Sequence, residues 1–369
     1  MRSSLKLLLI PGSLAALSLG ATGLVPLTAA DAATPAYTIT NLGNLGYPQL
    51  SEPAGINSAG QVTGESTTAA TITFTCGPPK HRTTCTEHLI HGYLYSAGAL
   101  TNLGTLGGNS SAGAAINDSG TIAGYADLSS GIGHAALFHG GTVTDLGSLS
   151  GPTGSSAATA INDLGQVAGW TTGPGGSAEE AFVETNGVMA GLGLLSGGTF
   201  SAATGINASG MVVGDEDNAA SDERAFVYSN GVKTDLGTLG GPNAAAGAIN
   251  DNGLIVGNSQ SASDADHVFT YSNGTMTDLG AYNIDTIPDA INNSGVFVGQ
   301  TYGEASNGTT FTDAFIYTGG KFEDLNTLIP AGSGYVLTNA SGINSSGQII
   351  AQGSDTSNGQ FASFLLTPA

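Results

Sequence analysis

One short pattern returns seven times along this chain, and it limits the possible folds more than any other feature. It consists of a small residue, Ile, Asn, two variable residues and Gly, followed by a short apolar run that usually ends in Gly. The copies are Gly55-Ile56-Asn57, Ala115-Ile116-Asn117, Ala160-Ile161-Asn162, Gly205-Ile206-Asn207, Ala248-Ile249-Asn250, Ala290-Ile291-Asn292 and Gly342-Ile343-Asn344. Successive Asn residues lie 60, 45, 45, 43, 42 and 52 positions apart. A period of this size holding one supersecondary unit marks a repeat array, and propeller blades have about this length.

Each unit contains four strand-like pieces. In the third unit they are residues 157–161, 166–170, 181–184 and 188–192. Alternating apolar positions and β-branched or aromatic residues favour strands, and every piece is too short for a buried helix. The first turn has a mechanism in Asn162-Asp163-Leu164-Gly165. The Asn side chain accepts hydrogen bonds from backbone groups ahead of it, and Gly165 takes positive φ at no steric cost. The seven Asn residues are therefore read as turn residues before they are read as a ligand-binding ring.

The strand count is offset at the two ends. A fourth-strand signature recurs as Asn102-Leu103-Gly104, Asp145-Leu146-Gly147, Gly191-Leu192-Gly193, Asp235-Leu236-Gly237, Asp278-Leu279-Gly280 and, as a variant, Asp324-Leu325-Asn326. A further copy, Asn41-Leu42-Gly43, precedes the first Ile-Asn turn, while the last unit ends after its third strand, Phe361-Ala362-Ser363-Phe364-Leu365. The N-terminal segment is thus expected to complete the last unit's sheet and clasp a ring. Such closure removes exposed sheet edges. The expected fold is all-β: a seven-bladed propeller of four-stranded blades.

Residues 1–32 are expected to be a secretory signal peptide: Arg2 and Lys6, an apolar stretch from Leu7, and an Ala30-Asp31-Ala32 cleavage signal. Residues 33–369 then form one repeat domain, secreted and monomeric. Cys76 and Cys85 are the only cysteines. In an exported protein such a pair is expected to form a disulfide, here closing an insertion at about residues 66–90 of the first unit. The net charge is −21, from 7 basic and 28 acidic residues. Binding a polyanion needs a basic surface, so nucleic acid and anionic membranes are poor partners, and neither nucleic-acid binding nor membrane insertion is expected. No later stretch approaches the ~20 apolar residues of a membrane span.

The third and fourth strands resemble the extracellular bacterial repeat proteins named for a His-Ala-Phe motif. The third-strand segments are His91-Gly92-Tyr93-Leu94-Tyr95, His134-Ala135-Ala136-Leu137-Phe138, Ala225-Phe226-Val227-Tyr228, His267-Val268-Phe269 and Ala314-Phe315-Ile316-Tyr317. The downstream half is clearest in Asp235-Leu236-Gly237-Thr238-Leu239-Gly240-Gly241. No unit spells the three-letter motif in full, so the likeness lies in the whole repeat. It implies export and no catalytic residues.

Three candidate sites stand out. The residue after the second-strand Gly varies while its neighbours keep their type: Glu65, Tyr125, Trp170, Asp215, Asn258, Gln300 and, by alignment, Gln352. Aromatic rings stack on sugars, and amides and carboxylates hydrogen-bond hydroxyls, so these are the candidate ligand-binding residues. The competing reading is that the position merely begins the loop after strand two. Asp215, Asp217 and Asp222 are the candidate metal ligands, with Ca²⁺ the one cofactor considered, although no Asp-x-Asp-x-Asp-Gly loop with a closing Glu is present. His81, His88 and His91 lie near the two cysteines, but their spacing fits no zinc module.

No nucleophile elbow, zinc-protease helix or phosphate loop occurs, and the first strands are mostly Ala, Gly, Ser and Thr. The sequence reads as a non-catalytic binding or structural surface module facing a polysaccharide or a cell-surface protein. The alternatives are a secreted carbohydrate-active enzyme on the same scaffold and a calcium-stabilised matrix or adhesion protein.

Overall fold

A computed structural model describes residues 36–76, 82–173, 176, 178–195, 197–305 and 308–369. The expected leader, and Lys80 and His81 of the insertion, lie outside the described residues. The described chain is nearly all β and forms a seven-bladed propeller, with one 3-10 turn at Leu325–Thr327. Each blade is a four-stranded antiparallel sheet. The blades span residues 46–102, 107–147, 156–191, 201–235, 240–280, 285–324 and 335–368. The last span holds three strands, and the fourth is Tyr37–Asn41, which pairs antiparallel with Gln360–Pro368 from Tyr37↔Pro368 to Asn41↔Phe364. The clasp read from the end offset is therefore present.

The repeated glycines and alanines follow from how the inner strands pack. Every first strand carries a β-bulge just before its small residue, as at Pro53/Gly55 and Ala158/Ala160. Beside it a first-strand carbonyl lies against the second-strand Gly: a Cβ on Gly64 would lie 1.9 Å from Glu52 O, and one on Gly169 2.1 Å from Ala157 O. No side chain fits there. In blade 7 an extra bulge at Leu337/Asn339 moves this constraint to Gly353, and Ala351 is accepted at the aligned position. Between blades, a Cβ on Gly55 would lie 2.8 Å from Ala115 Cα, so the inner circumference also demands small residues. Outside it, fully buried Phe182, Phe226, Phe269, Phe315 and Phe364 fill the blade interfaces.

The Asn turns do more than turn the chain. Asn162 Oδ1 accepts from Leu164 N (3.1 Å) and Gln166 N (3.0 Å), as the local reading requires. Its Nδ2 also donates to Asn207 O of the next blade at 3.0 Å. The same bond runs from Asn57 to Asn117, Asn117 to Asn162, Asn207 to Asn250, Asn250 to Asn292, Asn292 to Asn344 and Asn344 back to Asn57. Seven side chains thus close a circle of inter-blade hydrogen bonds on buried carbonyls.

In blade 1 the second and third strands lengthen to Val62–Cys76 and Thr83–Ser96. They form a two-stranded arm whose end carries the Cys76–Cys85 disulfide. Both sulfurs are in that bond and so are not thiolate ligands for a metal. His88 stacks on Tyr47 at 3.6 Å between ring centres, and its Nδ1 lies 2.9 Å from Thr68 O.

Candidate functional site

The seven variable residues occupy one structural position, and it is not a loop. Glu65, Tyr125, Trp170, Asp215, Asn258, Gln300 and Gln352 all lie inside the second strand of their blades, paired with a first-strand residue on one side and a third-strand residue on the other. The loop reading of this position is corrected. It follows the second-strand glycine in six blades and Ala351 in the seventh, and its first-strand partner is small in four: Ala112, Ala157, Ala202 and Ala245. The space beside it is therefore free for a large or polar side chain. Six of the seven are half-buried, and Glu65 is only 5% exposed.

Three of the seven meet in one cluster at the junction of blades 7, 1 and 2. Gln352 Nε2 donates to Glu52 Oε1 at 2.8 Å across the closing seam. Glu52 lies directly opposite Glu65 on the neighbouring strand. Burial, and then the nearby Glu52 carboxylate, push the Glu65 carboxyl up to about 8. Burial also raises Glu52, partly offset by the Gln352 hydrogen bond. Tyr125, whose hydroxyl lies 3.1 Å from Ser110 Oγ, is pushed up to about 12 by burial and by Glu65. Burial beside a second carboxyl therefore keeps Glu65 protonated at neutral pH. Glu52 was not singled out in the sequence. Its signal was there: it is the only acid at a first-strand position that elsewhere holds Ala112, Ala157, Ala202, Ala245, Ile287 and Asn339.

Around the rest of the ring, Trp170 Nε1 is buried with no hydrogen-bond partner among the described residues, and Gln300 Oε1 accepts from Tyr302 OH at 3.4 Å. The three acids considered for metal binding are not brought into one ligand set. Asp217 is held by Thr199 N, Thr199 Oγ1 and Phe200 N at 2.7, 2.9 and 2.7 Å. Burial raises its carboxyl, but these hydrogen bonds outweigh it and leave it below the usual range. Asp222 accepts from Asn218 Nδ2 at 3.1 Å. Among the described residues no three His, Cys, Asp or Glu side chains gather as metal ligands.

The His of the third strand has a structural role within its blade. His134 Nδ1 lies 2.8 Å from Asp145 Oδ1, and His267 Nδ1 lies 2.9 Å from Asp278 Oδ1. Asn102 Nδ2 donates to His91 Nδ1 at 2.9 Å, and Arg224 Nη2 donates to Asp235 Oδ2 at 2.9 Å. In each case the fourth-strand Asp or Asn also accepts from the Gly two residues on, for example Gly147 N at 2.7 Å. Blade 3 has Gly191 in place of that acid, and Glu180 reaches across from the third-strand position to accept from Gly193 N at 2.7 Å.

No protein-family model matches the chain, and no curated protein sequence does. Solved structures do resemble it. A puromycin hydrolase superimposes with a TM-score of 0.50 at 13% identity, over 85% of this chain and 53% of its own. A puromycin-hydrolysing peptidase of Mycobacterium tuberculosis gives 0.50 at 11% identity, over 84% of this chain and 52% of its own. TolB from Acinetobacter baumannii gives 0.43 at 11% identity, over 83% and 80%. The chain spans about half the length of the two hydrolases, and at such identity the likeness is one of propeller fold alone. No helix among the described residues is long and apolar enough to cross a membrane.

Proposed function

We propose that the protein is a secreted, non-catalytic binding module that recognises a neutral, polyhydroxylated polymer. One observation carries this reading. Packing holds the glycine before the variable position nearly constant around the ring, while that position changes freely among Glu65, Tyr125, Trp170, Asp215, Asn258, Gln300 and Gln352. A position that the fold leaves free, filled with hydrogen-bonding and aromatic groups rather than Ala, suits ligand contact. The charge of −21 disfavours anionic polymers. Export, and the likeness to the His-Ala-Phe repeats, belong to the same proposal.

The Glu52–Glu65 pair favours a second reading, a carbohydrate-active enzyme, because glycoside hydrolysis uses two carboxyls. Against it, Glu65 is buried in the seam between blades. A pull-down of the chain on a panel of soluble and insoluble polysaccharides, with chromatography of the supernatant, separates the two. Retention without new sugars supports the binding module, and new sugars establish the enzyme. Trp170→Ala is expected to weaken retention, and unchanged retention removes Trp170 from the site.

A further inference from the structure

Blade 7 breaks the third-strand rule, and a cleft lies beside the break. At the position held by His91, His134, Glu180, Arg224, His267 and Asp313 in the other blades, the register places Ala362. The fourth-strand residue it should cover is Asn41, supplied by the N-terminal clasp. Asn41 Oδ1 still accepts from Gly43 N at 2.8 Å, but its Nδ2 has no partner among the described residues. Beside Ala362 lies a surface cavity of about 110 Å³ bordered by Asn41, Asn44, Asp355, Asn358 and Phe361.

The chemistry of this cleft is specific. Asn44 Oδ1 accepts from Gly46 N at 2.9 Å, and Asn358 Oδ1 accepts from Gln360 N at 2.8 Å. Each of the three Asn oxygens already accepts one backbone N–H, and Asn358 Nδ2 is turned to Asp355, so the amide donors left to a ligand are those of Asn41 and Asn44. Asp355 Oδ1 accepts from Ser357 N and Oγ at 2.8 and 2.6 Å, and its Oδ2, which accepts from Asn358 Nδ2 at 3.5 Å, keeps a lone pair for a further donor. Phe361 stands 55% exposed on the rim. Donors beside one acceptor suit vicinal hydroxyls, which accept and donate at once, and an exposed ring suits the apolar face of a pyranose. The volume is below the ~150 Å³ of an apolar cavity that takes up benzene, so it holds the edge of one ring rather than a chain.

We infer that the seam between the last blade and the N-terminal clasp is a binding site for the edge of a single neutral sugar unit, beside Ala362 where the other blades carry a longer polar side chain. This rests on the binding reading above and adds to it a site apart from the seven second-strand residues. Because Asn41 and Asn44 come from one end of the repeat domain and Asp355 and Phe361 from the other, the site exists only in the closed ring.

The test uses methyl glycosides of glucose, galactose, mannose, fucose and N-acetylglucosamine, titrated calorimetrically into the wild-type chain and two variants. Ala362→His restores the side chain that blade 1 carries beside an identical Asn, so it fills the cleft while giving Asn41 Nδ2 a partner. Phe361→Ala removes the exposed ring and touches no core contact, so it reports even where the first variant misfolds. The expected result is a wild-type chain that binds at least one glycoside, with affinity down about tenfold or more in both variants. Equal binding by the variants overturns the site and leaves the binding reading intact, as does polysaccharide retention without glycoside binding. Failure to bind glycosides and polysaccharides alike overturns both.

Discussion

Replacing Asn344 by Asp separates the two roles of the ring Asn residues. Asn344 Oδ1 accepts from Ser346 N, Ser346 Oγ and Gln348 N at 3.1, 2.8 and 2.9 Å, which is the turn. Its Nδ2 donates to Gln348 Oε1 at 2.9 Å and to Asn57 O at 3.0 Å, the second bond joining the last blade to the first. Asp is an equally good turn residue and keeps every bond to Oδ1. It loses both donors and sets a carboxylate oxygen against the buried Asn57 carbonyl. A lost buried hydrogen bond with an unsatisfied acceptor costs about 1–3 kcal/mol. The expectation is therefore a loss of about 2 kcal/mol at pH 7, read as a lower urea midpoint at unchanged slope. The folded-state pKa of the introduced carboxyl is raised, since its protonated form alone donates to Asn57 O. The deficit should accordingly shrink as pH falls through that pKa. A midpoint equal to that of the wild type at neutral pH would refute the inter-blade role and leave only the turn.

Two further outcomes follow from the seam. Glu65 is raised from its ordinary value of 4.5 to about 8 in the folded chain, so the native state keeps a proton that the unfolded state releases. Stability should fall as pH rises from about 4.5 through about 8, and Glu65→Gln should flatten that part of the curve; an identical slope in the variant rules Glu65 out as its source. Deleting residues 1–44 removes the Tyr37–Asn41 strand, buried Leu42 and the Gly43 carbonyl that accepts from Ser51 Oγ at 2.9 Å. The exposed edge of Gln360–Pro368 should then drive association, seen as larger species in size-exclusion chromatography and a lower melting temperature; a monomer that melts like the full chain shows that the clasp is dispensable.

Much of this architecture can be read along the chain because its causes are local or periodic. The blade count lies in the recurrence of Ile-Asn, the strand pieces in alternation, and the clasp in one surplus Asn-Leu-Gly at the start and one missing at the end. The turn role of the Asn residues is also local, since its bonds reach only two or four residues ahead. The variable second-strand position can be found by comparing units with one another. Its setting inside the strand could not, because the bulge and the first-strand carbonyl beside it are properties of paired backbones.

The remaining features needed the closed ring. Asn344 meets Asn57 across 287 residues, and Gln352 meets Glu52 across 300. No sequence period specifies which polar atoms face each other over such a seam. Glu52 was an unusual acid in a strand of small residues, but only cross-strand pairing makes it the neighbour that helps to raise Glu65. Ala362 is unremarkable beside its neighbours in sequence. It stands out only because the backbone register assigns it a place that the six other blades fill with a longer polar side chain. Repetition in the sequence determined the number and order of the blades. Contacts between blades distant in sequence decided where the ring carries charge, protons and open space, because burial and hydrogen-bond partners exist only once those blades lie side by side.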